Sequence, residues 1–458
     1  MKEIHSSAFA YCKKLENVCF PAATSLSGRV FYHANVSNLT LPALSRIDIY
    51  TFYSASIGYL DAPNVVSIAN NAFANCSSVK AYSFPNVEYI GNSAFYSAKL
   101  SVFNFPKLKN IRNYAFANCD FSSLELLMSS IGGDYAFYYC SKLVSVSMPN
   151  ATYVGANAFA FCSLLSIVHM PEGDCIFSTG VFAGCNFSIV SPEQFGRLTS
   201  ISPGMFRSNE KLKIVSMPTV TRIGSEAFSH CYSLSELYLP NYSDGIHYGT
   251  FSECSALSEV SFPLVSKVDQ YAFYKCTGLR RAYFENAKYT SYYTFCGCSN
   301  LSVIYAPRIE IIGPQTFMSC TALSNASFPN ASLVSASAFL GCISLEDVYL
   351  PNVQIISSYA FSGCSNLTKL SFPRASLIYG NAFNGCYYLE SLYLIGSSFC
   401  RLSGSIAQAP IGAYHDLVGH EGSIYVPAEL YDTYISASYW SAYAAHFVSL
   451  TQEEISTL

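Results

Sequence analysis

The stretch Phe339-Leu340-Gly341-Cys342-Ile343-Ser344-Leu345-Glu346-Asp347-Val348-Tyr349-Leu350-Pro351 decides the fold of this chain. Its second half alternates apolar and polar residues as a half-buried strand does. Successive strand side chains face opposite ways, so Leu345, Val348 and Leu350 point inward and Asp347 and Tyr349 outward. Pro351 has no N–H to extend a ladder and ends the run. Val353 and Ile356 return the chain to the core, and Ala360-Phe361 leads into a short turn that closes the coil.

The Phe that begins this unit recurs as Phe9, Phe31, Phe52, Phe73, Phe95, Phe116, Phe137, Phe159, Phe182, Phe206, Phe228, Phe251, Phe273, Phe295, Phe317, Phe339, Phe361 and Phe383. That makes 18 units spaced 21–24 residues apart, with a spacing of 22 throughout from Phe251 onward. A coil this small cannot bury its apolar face alone. Stacked coils share one continuous core, and their strands form a parallel sheet. The expectation is a repeat solenoid of about 18 coils over residues 1–395, one elongated body without long helices.

The repeating pattern is Ala-Phe, a Cys three residues after the Phe, then Leu-x-x-[Val/Leu/Ile]-x-[Phe/Leu/Met]-Pro. It reads Ala227-Phe228-Ser229-His230-Cys231 with Leu234, Leu237, Leu239 and Pro240. It reads again Ala360-Phe361-Ser362-Gly363-Cys364 with Leu367, Leu370, Phe372 and Pro373. This resembles the leucine-rich repeats of the BspA-like class of bacterial surface proteins, over about residues 1–395. The resemblance implies a leucine-rich repeat fold and a role in adhesion to host proteins or to other bacteria. The matched residues are core residues, so the motif identifies no site. The register slips at Met128 and Glu285, which stand where Pro is expected. The unit after Phe182 has an early Pro192 and a 24-residue gap to Phe206, so residues 172–210 are the expected irregular stretch.

Composition follows from this design. The 458 residues are 51% apolar and 12% charged, which excludes intrinsic disorder. A net charge of −4, from 29 acids and 25 bases with no basic stripe, sets nucleic acid aside as a partner. No window of 18 apolar residues is present, so no membrane-spanning helix is expected. Met1 to Phe9 carry neither the basic start nor the apolar run of a secretory signal. Either the export signal has been removed or the protein is not exported by that route.

Fourteen of the 18 cysteines occupy the third position after the anchor Phe, from Cys12 and Cys76 to Cys364 and Cys386. The other four units hold Ala34, Ala55, Ala98 and Asn209 there. A slot filled by Cys or Ala is a small buried slot, and free Cys behaves as a small hydrophobe. A ladder of reduced, buried thiols is expected. The stacking distance permits disulfides between coils, but parallel side-chain vectors do not favour them. One Cys per coil lacks the paired spacing of metal ligands. Neither a cofactor nor a metal site is expected.

Few motifs carry chemistry. His415-Asp416-Leu417-Val418-Gly419-His420-Glu421 lacks the HExxH order and reads as a polar loop. His230 beside Cys231 does not form a nucleophile pair, because adjacent strand residues face apart and Cys231 belongs to the ladder. No GxSxG element or Walker A loop is present, so no enzymatic activity is expected.

One surface row is informative. The outward position before the last core residue of each strand reads Ser216, Tyr238, Ser261, Tyr283, Tyr305, Ser327, Tyr349, Ser371 and Tyr393. Towards the N-terminus it is mixed, with Asn104, Ser147 and His169. Tyr and Ser together offer rigid amphipathic area and adaptable hydrogen bonding, the combination used by antibody binding sites. The row is a candidate recognition strip for a protein or glycan. Stacked Tyr and Ser also stabilise a sheet by neighbour contacts alone.

After about residue 395 the repeat stops, and residues 396–458 read as a C-terminal cap, which a solenoid end needs. A Gly/Ser-rich loop covers 396–412. Ser423-Ile424-Tyr425-Val426-Pro427 reads as a last strand, followed by a helix from Pro427 to about Tyr443. The expected function is non-catalytic binding, as a monomer displayed on a bacterial surface or secreted, with a protein or glycan partner on host or microbial cells. The alternative is a structural spacer or phage-tail-like component that presents another module.

Overall fold

The computed structural model describes residues 2–100, 102–170, 173, 175–403 and 422–458. They form two compact units, Met1–Val220 and Thr221–Leu458. Within each, strands pair in parallel with their counterparts one coil on, as the repeat demands.

In the first unit the longest strands come first. Leu15–Cys19, Asn35–Thr40, Ser56–Asp61 and Ser78–Ser83 form a four-stranded ladder with Val36, Ile57 and Val79 in register. Each coil also has a second arm of two residues. Arg46–Ile47, Ser67–Ile68, Tyr89–Ile90 and Asn110–Ile111 form a parallel ladder of their own. Its inward row, Ile47, Ile68, Ile90 and Ile111, is buried. Two parallel arms per coil thus face one shared core.

The anchor phenylalanines stack as rungs. Phe73 and Phe95 lie 4.8 Å apart with an interplanar angle of 4°, and Phe137 and Phe159 lie 5.3 Å apart at 3°. All four rings are fully buried. The described residues of 172–210 are irregular, as expected. The described part holds a short helix, Pro192–Phe195, with Pro at its start. It inserts Phe195 edge-on against Phe206 at 5.2 Å and 84°, and the Phe182–Phe206 separation is 6.2 Å.

The turn carrying each anchor has a backbone signature that residue type does not announce. The residues two before and two after the Phe are left-handed: Tyr114 and Asn118 around Phe116, and Tyr271 and Lys275 around Phe273. Only Gly adopts that region without steric cost. Here the geometry persists because it aims alternate amides at the next coil. Tyr271, Phe273 and Lys275 donate their N–H groups to the carbonyls of Tyr292, Thr294 and Cys296, at 3.0, 2.8 and 2.8 Å.

The cysteine ladder is as expected: the cysteines are free thiols, and all the described ladder members except Cys12 are buried. Its function is more specific than filling space. Along the ladder the thiols reach the carbonyl of the Phe one coil back, as Cys76 does to Phe52 at 2.9 Å, Cys320 to Phe295 at 3.2 Å and Cys386 to Phe361 at 3.1 Å. Asn209, which replaces Cys, donates its amide to Phe182 in the same way at 2.8 Å.

In the second unit the second arm forms one seven-stranded ladder from Lys267–Val268 to Arg401–Ser403. The main arm was expected as one sheet and is instead interrupted. Glu259–Ser261, Arg281–Tyr283 and Val303–Tyr305 form one ladder. Asn325–Ser327 and Asp347–Tyr349 form a second. Lys369–Ser371, Ser391–Tyr393, Ser423–Pro427 and Phe447–Leu450 form a third.

The end segment corrects a second expectation. No single helix runs from Pro427 to Tyr443. A 3-10 turn, Ala428–Leu430, leads into the helix Tyr431–Ser436. Ala437 is extended and Tyr439 left-handed (φ 66°), before a second 3-10 segment, Trp440–His446, and the strand Phe447–Leu450. The break lets two rings converge on one residue. Trp440 Nε1 donates to the Cys400 carbonyl at 2.7 Å, and the Cys400 N–H donates to Tyr434 Oη at 2.9 Å. Tyr434 and Trp440 are fully buried. Residues 404–412 of the expected Gly/Ser-rich loop, and His415 to Glu421, lie outside the described residues.

Candidate recognition face

The side chains of the Tyr/Ser row project from three-residue strands whose middle residue faces the core, as Val260, Ala282 and Leu370 do. Ser216 belongs to the first unit, at the end of Ile214–Ser216, and is half-buried. The remaining eight lie in the second unit. Ser261, Tyr283 and Tyr305 are direct ladder partners on adjacent strands. Ser327 opposes Tyr349, and Ser371 opposes Tyr393. No ladder pairing joins Tyr238 to Ser261 among the described residues, so the row is a series of short ladders.

Exposure separates the tyrosines. Tyr238, Tyr305 and Tyr349 are 59%, 49% and 60% exposed, whereas Tyr283 and Tyr393 are half-buried. Tyr393 is occupied within the chain: its ring stacks on Tyr425 at 4.4 Å and 9°, and Lys369 Nζ lies 4.7 Å from its centroid. Tyr425, in register with Tyr393, extends the row into the end segment. It was legible in Ser423-Ile424-Tyr425, which repeats the pattern of Ser391-Leu392-Tyr393, although the break in spacing concealed it. Two residues before the row, Glu259 and Arg281 are ladder partners and approach to 3.4 Å. Tyrosine, serine and an ion pair provide aromatic contact area and hydrogen-bonding groups, and none of these is a nucleophile with an activating base.

Two histidines elsewhere, His247 and His230, are held by carboxylates. His247 Nε2 lies 3.1 Å from Asp244, and its Nδ1 lies 3.5 Å from Asp269. His247 beside Asp244 holds that carboxyl below the usual carboxylate range. His230 Nδ1 lies 3.2 Å from Glu253, and the neighbouring Cys231 is buried in the ladder. Among the described residues no three metal-ligating side chains converge, and no helix is long and apolar enough to cross a membrane.

Stacked coils with two parallel arms, a buried Phe rung and an anchored turn define a leucine-rich repeat solenoid. The family model described as "BspA type Leucine rich repeat region (6 copies)" matches residues 2–123, 129–254, 177–302, 221–346 and 288–403, and the chain belongs to that family. Leucine-rich repeat proteins are generally non-catalytic binding scaffolds. Among solved structures, a leucine-rich repeat protein from Bacteroides ovatus is 19% identical, with 95% of this chain and 92% of that one covered and a TM-score of 0.46. A leucine-rich repeat protein from Eubacterium ventriosum is 22% identical, with 76% and 82% covered and a TM-score of 0.32. A leucine rich cell surface protein from Faecalibacterium prausnitzii is 17% identical, with 78% and 91% covered and a TM-score of 0.30. No curated protein matches the chain.

Proposed function

We propose that this protein is a non-catalytic adhesion or recognition protein. It acts as a monomer at the cell surface or after secretion and binds a protein or glycan of host or microbial cells. Its contact surface is the strand row bearing Tyr238, Ser261, Tyr283, Tyr305, Ser327, Tyr349 and Ser371. The observation that carries this reading is the exposure of Tyr238, Tyr305 and Tyr349, each about half or more open to solvent. Rings that served only to stabilise the ladders would lie against their neighbours, as Tyr393 lies against Tyr425. Exposed Tyr among Ser supplies contact area at low conformational cost, with hydroxyls free to adapt.

The test is binding of the full chain to host epithelial surfaces, mucin and co-resident bacterial cells, before and after Tyr238, Tyr283, Tyr305 and Tyr349 are replaced by Ser. Loss of binding with unchanged folding supports the strip. Unchanged binding removes it as the contact surface.

A further inference from the structure

In the first unit the second-arm ladder carries an outward row that is chemically unlike the Tyr/Ser row. Arg46, Ser67, Tyr89 and Asn110 are successive ladder partners, each six residues before its anchor Phe. They line an open groove of about 290 Å³, which Arg112 joins at the far end. The outer strands are three spacings apart, so the two guanidinium-bearing residues stand about 14 Å apart. Between them the Tyr89 ring is 51% exposed.

The groove is rich in donors. The Asn70 side-chain oxygen accepts from the Asn92 N–H at 2.9 Å, and the Asn92 side-chain oxygen accepts from the Asn113 N–H at 3.2 Å. With their oxygens engaged, both carboxamides offer NH₂ groups that have no partner among the described residues. Of the two arginines, Arg46 makes a solvent-exposed ion pair that a ligand carboxylate would have to displace. Asp48 lies 3.7 Å from Arg46 and also accepts from the Ile49 N–H, and Glu88 is taken by Lys109 at 2.9 Å. Arg112 has no carboxylate within ion-pair reach among the described residues.

The geometry points to a binding site for a linear acidic oligosaccharide, with carboxylates at the two arginines and a sugar ring on Tyr89. Guanidinium groups match planar carboxylates with two parallel hydrogen bonds. The amide and hydroxyl groups suit sugar hydroxyls, and an exposed Tyr ring offers a flat apolar platform with a polar tip. The separation of the arginines exceeds what a free phosphate or a single sugar can bridge.

The test is calorimetric titration of the full chain with tetragalacturonate and with the same oligomer after its carboxyls are reduced. Tight binding of the acid and roughly tenfold weaker binding of the reduced oligomer are expected. Arg46→Ala combined with Arg112→Ala lowers acid affinity by about tenfold, and Tyr89→Ala also weakens it. These side chains are exposed, so far-UV circular dichroism remains unchanged. Replacing Tyr238 and Tyr305 by Ser leaves acid binding intact, which separates this groove from the strip. The proposal is overturned if the acid does not bind, if the double arginine variant binds equally well, or if an oligonucleotide of equal charge is preferred.

Discussion

The Cys276 thiol donates to the backbone carbonyl of Phe251 one coil back, at 3.0 Å. Repeated along the ladder, this contact links each coil's packing slot to the backbone of its neighbour. It explains why the slot accepts Asn209, another donor, whereas the alanines fill the slot without making this bond. The ladder is therefore a device for joining coils rather than a redox system.

Thiol accessibility follows from that placement. Only Cys19 is exposed and only Cys12 half-buried, and all 18 cysteines are free. A thiol reagent added to the folded protein should titrate these two first. After unfolding without reductant it should reach all 18, and a markedly lower count would show that disulfides have formed.

Alkaline conditions should weaken the fold. Burial pushes the Cys276 thiol up to about 12 from an ordinary 9.0. Below pH 9 both folded and unfolded states hold the proton and the contribution is complete. Above it the unfolded chain ionises first, and stability falls until the folded thiol also ionises near pH 12. Each such thiol removes about 1.4 kcal/mol per pH unit across that window. Denaturant midpoints measured from neutral to alkaline pH should fall, and Cys276→Ala should make the fall shallower.

The slot at Asn209 contains a defect that can be repaired. Its side-chain NH₂ is bonded to Phe182 and Phe206, but its oxygen is buried without a partner among the described residues. An orphaned buried acceptor costs about 1–3 kcal/mol. Asn209→Cys restores the common donor and removes the orphan, so the denaturant midpoint should rise. A drop would show that the wider coil around Phe195 needs the larger side chain.

Left-handed turn residues predict opposite effects at equivalent positions. Ser319 has φ 61°, and Gly363 occupies the corresponding place at φ 74°. Ser319→Gly should raise stability. Gly363→Ala should lower it by about 1–2 kcal/mol, the cost of the left-handed backbone. The added methyl would meet nothing closer than 3.5 Å, so crowding adds nothing. Equal changes at both positions in thermal melts would contradict this.

Trp440 should hold the C-terminal end closed. Trp440→Ala removes a fully buried ring and its bond to Cys400, at a cost of about 3–5 kcal/mol. Coils of a solenoid depend mainly on their neighbours, so hydrogen exchange should accelerate in residues 389–403 and 423–450. Amides around Phe273 and Phe295 should stay protected.

The coil, the parallel pairing and the buried thiol ladder were legible in the sequence, because each coil repeats the same burial demand at one spacing. Eighteen anchor phenylalanines and the Cys slot state that demand without any help from tertiary contacts. The tertiary structure decided what depends on which groups neighbouring coils bring together. Left-handed turn positions hold Tyr, Asn, Lys, Ser or Gly alike, so residue type does not reveal them; the amide bonds to the next coil impose them. Tyr349 is open while Tyr393 is stacked on Tyr425, which the end segment brings into register beside it. The end segment breaks at Ala437 so that Trp440 can reach Cys400, 40 residues away. Arg46 and Arg112 frame one groove because four coils align their second arms, a register that follows from stacking rather than from either arginine's own neighbours.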